Sequence, residues 1–153
     1  MAASVIVGLI SDTHGLLRPE AVALLRGSDF IIHAGDVGDP RILQDLATLA
    51  PITAVRGNVD TGAWAAGLPE TAVLTVGPVA IHVLHRIEDL ASASGFRAVI
   101  SGHSHKPGHG EKDGVLYVNP GSAGPRRFSL PIGVGRLTIT GAAVSVELIE
   151  IAR

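Results

Sequence analysis

Five short apolar runs in this chain break off in the same way, at a small residue or at the run's own tip, and each delivers Asp, Asn or His. Val5 to Ile10 leads into Ser11-Asp12-Thr13-His14, Phe30 to Ala34 into Gly35-Asp36, and Ile52 to Val55 into Arg56-Gly57-Asn58. Val79 to Leu84 stops at His85, and Ala98 to Ser101 at Gly102-His103-Ser104-His105. Short apolar runs bounded by turn formers read as buried strands. Between the first three lie helical patterns. Pro19 opens one over Glu20 to Arg26 that Gly27 stops; Pro40 to Ala50 carries Ile42, Leu43, Leu46 and Leu49 near a 3.6-residue spacing. Strand, helix, strand, helix, strand predicts parallel strands joined by right-handed crossovers, hence the α/β class.

The rest of the chain is poorer in helical pattern. Thr61 to Pro69 reads as a loop, Thr71 to Val76 and Val79 to Leu84 as a hairpin, and Glu88 to Ser94 as a short helix stopped by Gly95. His109, between two glycines, reads as a surface-loop residue, and the remaining strands are Val115 to Val118, Val134 to Ile139 and Val144 to Ile151. No repeat or linker divides the sequence, so residues 1–153 read as one domain. A hydrophobic fraction of 46% with 17% charged residues excludes a disordered chain. A net charge of −2 without a basic run leaves no footprint for nucleic acid. The absence of cysteine excludes disulfides, thiolate metal sites and cysteine nucleophiles. No apolar stretch has membrane-spanning length, and Met1-Ala2-Ala3-Ser4 lacks the positive start of a signal peptide. The expectation is a cytoplasmic protein with no membrane partner; a homo-oligomer is left open.

In an open α/β sheet, functional groups gather beyond the carboxyl ends of the strands. Asp12, His14, Asp36, Asn58, His85, His103 and His105 would then share one rim, seven donors in all. That is too many for one ion and suits two. In Asp12-x-His14 and His103-x-His105, a spacing of two sends both side chains the same way if the segment is extended. Carboxylate, amide and imidazole without sulfur suit Mn²⁺, Fe or Zn²⁺ better than Ca²⁺. Singly, each residue has an ordinary explanation: Asp12 as a helix cap, His85 as a satisfied half-buried histidine, His103 and His105 as a polar turn. Repetition at five strand ends is what favours a metal site. His33, just before the Gly35-Asp36 tip, is either a partner to one of those residues or a buried histidine satisfied by backbone. His82, three before His85, falls on the opposite face of its strand. Arg56, Arg126 and Arg127 are candidate phosphate contacts.

This ordered set, together with Asn119-Pro120-Gly121-Ser122, resembles the calcineurin-like metallophosphoesterase superfamily and its small YfcE-type phosphodiesterase branch. The resemblance runs from Val5 to about Arg127. It implies a four-layer α-β-β-α sandwich of the metallo-dependent phosphatase type, two mixed sheets flanked by helices. It implies that Asp12, His14 and His105 hold one divalent ion, that Asn58, His85 and His103 hold another, and that Asp36 bridges them. Mn is the first expectation for both ions, with Fe, Zn or Ni as alternatives. The implied activity is hydrolysis of a small phosphodiester by a hydroxide bridging the two ions, with Asp36, Asn58 and His103 as the catalytic set. The alternatives are a phosphomonoesterase, or a non-catalytic protein-interaction scaffold on the same fold. Two departures from the family pattern stand out. Many relatives carry His after Gly-Asn, a proton donor to the leaving group, where this chain has Val59, with Asp60 beside it as a substitute donor. Relatives also often show His-Gly where this chain has His85-Arg86.

Overall fold

The computed structural model describes residues 3–127 and 129–152, so Met1 and Ala2 of the N-terminal stretch lie outside the described residues. The first sheet has the order β10-β9-β1-β2-β3, built from β1 (Ser4–Ile10), β2 (Phe30–His33), β3 (Ile52–Ala54), β9 (Ile132–Thr140) and β10 (Ala143–Ala152). β1, β2 and β3 run parallel, while β9 and β10 pair antiparallel. The second sheet has the order β4-β5-β6-β8-β7, from β4 (Thr71–Val76), β5 (Val79–Leu84), β6 (Ala98–Ile100), β7 (Gly108–Lys112) and β8 (Val115–Asn119). Here β5, β6 and β8 are parallel and the outer strands antiparallel.

Alternation along the strands builds the layers. Val7, Leu9, Ile32, Leu137 and Ile139 face Ile81, Val83, Ile100, Leu116 and Val118 in the core between the sheets. Ile10, Ile31 and Val134 point outward beneath α1 (Pro19–Leu25) and α2 (Pro40–Ala47), which contribute Ala21, Leu25, Ile42 and Leu46. Gly8 lets α1 lie close: a Cβ there would come within 2.6 Å of Leu25 Cδ2 and 2.8 Å of Ser28 Oγ. Asp39 caps α2, its carboxylate accepting from Arg41 N–H at 2.9 Å, with Pro40 at the favoured first position.

Two sequence expectations fail on the outer side of the second sheet. The helix expected over Glu88 to Ser94 is a single 3₁₀ turn, Ile87–Asp89. The segment is too short to nucleate a helix, and Ser92 Oγ instead accepts from Ser94 N–H at 3.1 Å. The fourth layer of the sandwich is therefore thin, with Leu90, Ala93 and Tyr117 covering Leu84, Val99 and Val115. His109 lies on a strand, the edge strand β7, opposite Val118. Gly108-His109-Gly110 has no apolar periodicity to announce it. The hairpin signal was Asp113-Gly114, both with positive φ (52° and 79°), the combination that a two-residue turn requires.

Among the described residues no helix is long and apolar enough to cross a membrane. Removing the fully buried Leu9 side chain with Leu9→Ala should cost about 2–5 kcal/mol in chemical denaturation. Val73→Ala, on a side chain 52% exposed, should change stability by less than about 0.5 kcal/mol.

Candidate metal centre

The parallel strands of both sheets deliver their carboxyl ends to one rim, where hydrogen bonds tie their tips together. His85 Nδ1–H donates to the Ala34 carbonyl at 2.8 Å, His103 N–H to Asp12 Oδ2 at 3.1 Å, and Ser122 Oγ to the Asp12 carbonyl at 2.9 Å. Beyond β1 and β2 the chain leaves extended geometry but keeps pairing: Asp12 N–H reaches the Gly35 carbonyl, His14 N–H the Asp36 carbonyl, and Gly15 N–H the Val37 carbonyl, at 2.9–3.0 Å.

Among the described residues six non-glycine residues have positive φ, and five of them are Asp12 (55°), His14 (46°), Asp36 (56°), His103 (72°) and His105 (62°). Left-handed backbone costs a non-glycine residue on the order of 1–3 kcal/mol and concentrates at functional sites. The spacing argument from extended segments is thus corrected. Asp12-x-His14 and His103-x-His105 are chains of tight bends, and His103 and His105 go to different groups. The ligand-type atoms of Asp12, His14 and His105 lie within 4.8 Å of one another, and so do those of Asp36, His85 and His103.

Asp36 faces both groups, with Oδ2 3.5 Å from His14 Nε2 and 3.2 Å from His85 Nε2. His14 Nε2 and His105 Nε2 are 3.2 Å apart, and His105 Nε2 is 3.5 Å from Asp12 Oδ1. Because His85 uses Nδ1–H on a carbonyl, its neutral ring turns a lone pair at Nε2 toward the carboxylates. Asp12 Oδ1 and His85 Nε2 are both buried without a hydrogen-bond partner. Acceptors converging at such distances need a cation between them, and this donor set fits divalent metal.

Without metal, the proton takes that role. Burial alone would lower the pKa of His85, but Asp36 at its Nε2, the Ala34 carbonyl and the charges of Asp36 and Asp12 outweigh it, and the net shift is upward. Burial pushes Asp36 up, but His85, the Val59 N–H and the His14 charge bring it down to about 2. Burial raises Asp12, in spite of Ser11 Oγ donating to Oδ2 at 2.7 Å. Burial, then the charges of Arg127 and His14, lowers His105 to about 4.

Asn58 stands exposed on the rim beside His85. Gly57 precedes it because a Cβ there would overlap the Asp36 backbone and carboxylate. Gly102 has the same reason, its missing Cβ leaving room for Ser11 and Asp12. Asp60 is a buried brace: its carboxylate accepts from Val37, Gly38 and Gly57 N–H at 2.9–3.1 Å, which holds the β2 and β3 ends together. Among the described residues His33 makes no hydrogen bond to a metal-type side chain. Its Nδ1 accepts from Gly35 N–H at 3.1 Å, so Nε2 carries the proton toward Thr13 Oγ1 at 3.0 Å, while Thr13 donates to the Val37 carbonyl at 2.8 Å. His82 lies on the outer face as expected, 4.7 Å from the Phe96 ring. Arg127 is exposed yet near enough for its charge to act on His105; Arg126 is exposed; Arg56 is paired with Glu70 at 3.0 Å on the opposite flank.

Sequence reasoning missed the supporting hydroxyls and one amide. Ser11, Thr13 and Ser122 are buried around Asp12, and Asn119 donates to the Gly102 carbonyl at 3.0 Å and to Ser104 Oγ at 3.1 Å. Asn119-Pro120-Gly121-Ser122, part of the family resemblance, therefore braces the His103–His105 loop. Its signal was present: it is one more polar tip on a parallel strand, β8.

A model of the calcineurin-like phosphoesterase superfamily domain matches residues 5–142. The chain belongs to that superfamily. Among related sequences, a probable metallophosphoesterase of Methanothermobacter thermautotrophicus is 32% identical to this calcineurin-like domain over 160 residues, covering 95% of this chain and 92% of the relative. Among solved structures, an archaeal phosphodiesterase matches this domain with a TM-score of 0.77 at 21% identity, covering 94% of this chain and 99% of that one. Vacuolar protein sorting 29 from Cryptosporidium parvum matches it with a TM-score of 0.78 at 18% identity, covering 98% and 99%. At these identities the two structures share the fold with this calcineurin-like domain.

Burial of His33 makes a pH prediction. It lowers the pKa from an ordinary 6.5 to about 4, partly offset by the charges of Asp60 and Asp36. Between those values the unfolded chain holds more protons than the folded one, so stability falls as pH falls through the window, by up to about 3 kcal/mol. Thermal unfolding of metal-free protein from pH 7 to 4 should show this slope, and His33→Asn should reduce it, leaving the part due to His105.

Proposed function

We propose that this chain is a two-metal phosphodiesterase. The observation that carries the reading is Asp36, set between two groups of ligand-type atoms whose buried acceptors, Asp12 Oδ1 and His85 Nε2, have no protein partner. Asp12, His14 and His105 would hold one divalent ion, Asn58, His85 and His103 the other, and Asp36 both. Mn is the first candidate, and Fe, Zn or Ni would be accepted according to availability. Such ions supply positive charge that acidifies water and stabilises the oxygens of a phosphoryl group in an in-line displacement.

The chain's own residues prepare that chemistry. Ser11 and the His103 N–H take Asp12 Oδ2, which leaves Oδ1 free to face the site. The Ala34 carbonyl holds the His85 ring in the tautomer whose Nε2 can ligate. Asn58 contributes an oxygen without charge, which limits repulsion of an anionic ester. His103 packs edge-on against His85, ring centroids 5.2 Å apart, at the partly exposed side of the site. Arg127 places a cation by His105, where it can meet a phosphoryl oxygen.

Neither residue after Asn58 can protonate a leaving group. Val59 has no proton to give, and three N–H groups occupy the Asp60 carboxylate. The similarity to a vacuolar sorting protein supports a second reading, a non-catalytic scaffold. The full donor set argues against it, since a scaffold has no need of five strained residues at the strand tips.

Metal-loaded protein should hydrolyse bis-p-nitrophenyl phosphate, and faster than the monoester p-nitrophenyl phosphate. Asp36→Asn and His103→Ala should each lower kcat by about 100-fold or more. Unchanged rates in these variants would sink the enzymatic reading in favour of the scaffold. With no side-chain acid by the leaving group, aryl diesters should exceed matched alkyl diesters by roughly 10²–10⁴-fold beyond a relative that has the acid. Equal rates on both ester types would show that another group supplies the proton.

A further inference from the structure

A cleft of about 380 Å³ opens from the Asn58–His85 side of the centre. Its walls carry two arginines and two acids: Arg56 and Glu70 on one side, Arg86 and Asp89 on the other. Apart from the His85 imidazole no aromatic side chain lines it, and Leu84 is its one aliphatic hydrophobic residue. The volume is that of a small-molecule subsite, and its continuity with His85 makes it the place for a substrate group next to the reacting phosphorus.

The charges in this cleft are already balanced. Arg56 Nη2 lies 3.0 Å from Glu70 Oε1, and Arg86 Nε lies 3.5 Å from Glu88 Oε2. A second anion on the substrate would have to displace a carboxylate, and a nucleobase would find no Phe, Tyr or Trp ring to stack on. Arg86 Nε is nevertheless a buried donor with no hydrogen-bond partner, its separation from Glu88 being too long for one. Arg86, Glu70 and Asp89 line the same cleft, a guanidinium beside two carboxylates. A hydroxyl answers both needs, because it accepts from a guanidinium and donates to a carboxylate.

We propose that this cleft is a subsite for a hydroxylated, non-aromatic ester group, a glycerol-like or sugar-like alcohol, and that Arg86 with Glu70 and Asp89 selects it. The proposal rests on the phosphodiesterase reading and names its substrate class. Arg86 is the specificity-determining residue. It follows His85 directly, so the residue that completes the centre also positions the guanidinium that chooses the alcohol.

Symmetric diesters test this whichever ester group leaves. Diglyceryl phosphate and dipropyl phosphate have the same charge and nearly the same size, and differ in hydroxyls. As competitive inhibitors of bis-p-nitrophenyl phosphate hydrolysis by the metal-loaded protein, diglyceryl phosphate should have a Ki about tenfold or more lower. Arg86→Met and Glu70→Gln should bring the two Ki values together. Equal Ki values in the wild type, a preference that survives both substitutions, or tighter inhibition by a dinucleoside monophosphate would each overturn the proposal. A metal-loaded protein that hydrolyses nothing defeats the enzymatic reading instead. The same diesters are then compared by thermal shift: a larger rise with diglyceryl phosphate that Arg86→Met abolishes supports the subsite, and equal rises reject it.

Discussion

The hydrogen bond from His85 Nδ1 to the Ala34 carbonyl is the contact on which the rest of the centre depends. It spans the two sheets at the tips of β5 and β2. It also decides the tautomer of His85, which turns the other ring nitrogen toward Asp36 and Asp12. Gly35 follows Ala34 because a Cβ there would press on the His85 ring, 2.7 Å from Nδ1. The apolar core between the sheets sets their separation; this bond fixes how the polar rims meet. One interaction thereby links packing to chemistry.

The rim is held in a conformation that none of its parts favours locally. Five residues at strand tips sit in left-handed backbone, which costs each on the order of 1–3 kcal/mol. The opposing forces are visible. The parallel pairing of the β1 and β2 ends continues through Asp12, His14 and Gly15. Asp60 gathers three N–H groups from the β2 and β3 ends, and Asn119 ties down the Gly102 and Ser104 loop. What these bonds achieve is convergence: bends so tight aim consecutive metal-type side chains into two adjacent groups instead of spreading them along a strand.

Much of the fold was legible in the sequence because burial writes a period into it. β1, α1, β2, α2, β3 and the β4–β5 hairpin all fall where apolar spacing and Pro or Gly punctuation put them. The failures have the opposite cause. β7 is an exposed edge strand of glycine and polar residues, so no period marks it, and the segment from Glu88 that reads as a short helix stopped by Gly95 is too short to form more than a 3₁₀ turn. In the site, the metal-type residues were legible as polar tips on apolar runs. Their braces were not. Ser11, Thr13, Ser122 and Asn119 are residue types common in any turn, and only their distances to Asp12 and Gly102 reveal the task.

By itself the sequence pattern determined which side chains lie at strand tips and that the fold is of the α/β class, because strand direction and burial follow from local pattern; the sandwich came with the family resemblance. The tertiary structure alone decided three things. It bent the Asp12–His14 and His103–His105 segments into left-handed backbone, since such bends leave no sequence period. It gave Asp60 its bracing contacts, since those depend on N–H groups more than twenty residues away. And it gave Arg86 its surroundings, because Arg56 and Glu70 arrive from other segments to form the cleft that Arg86 and its near neighbour Asp89 also line.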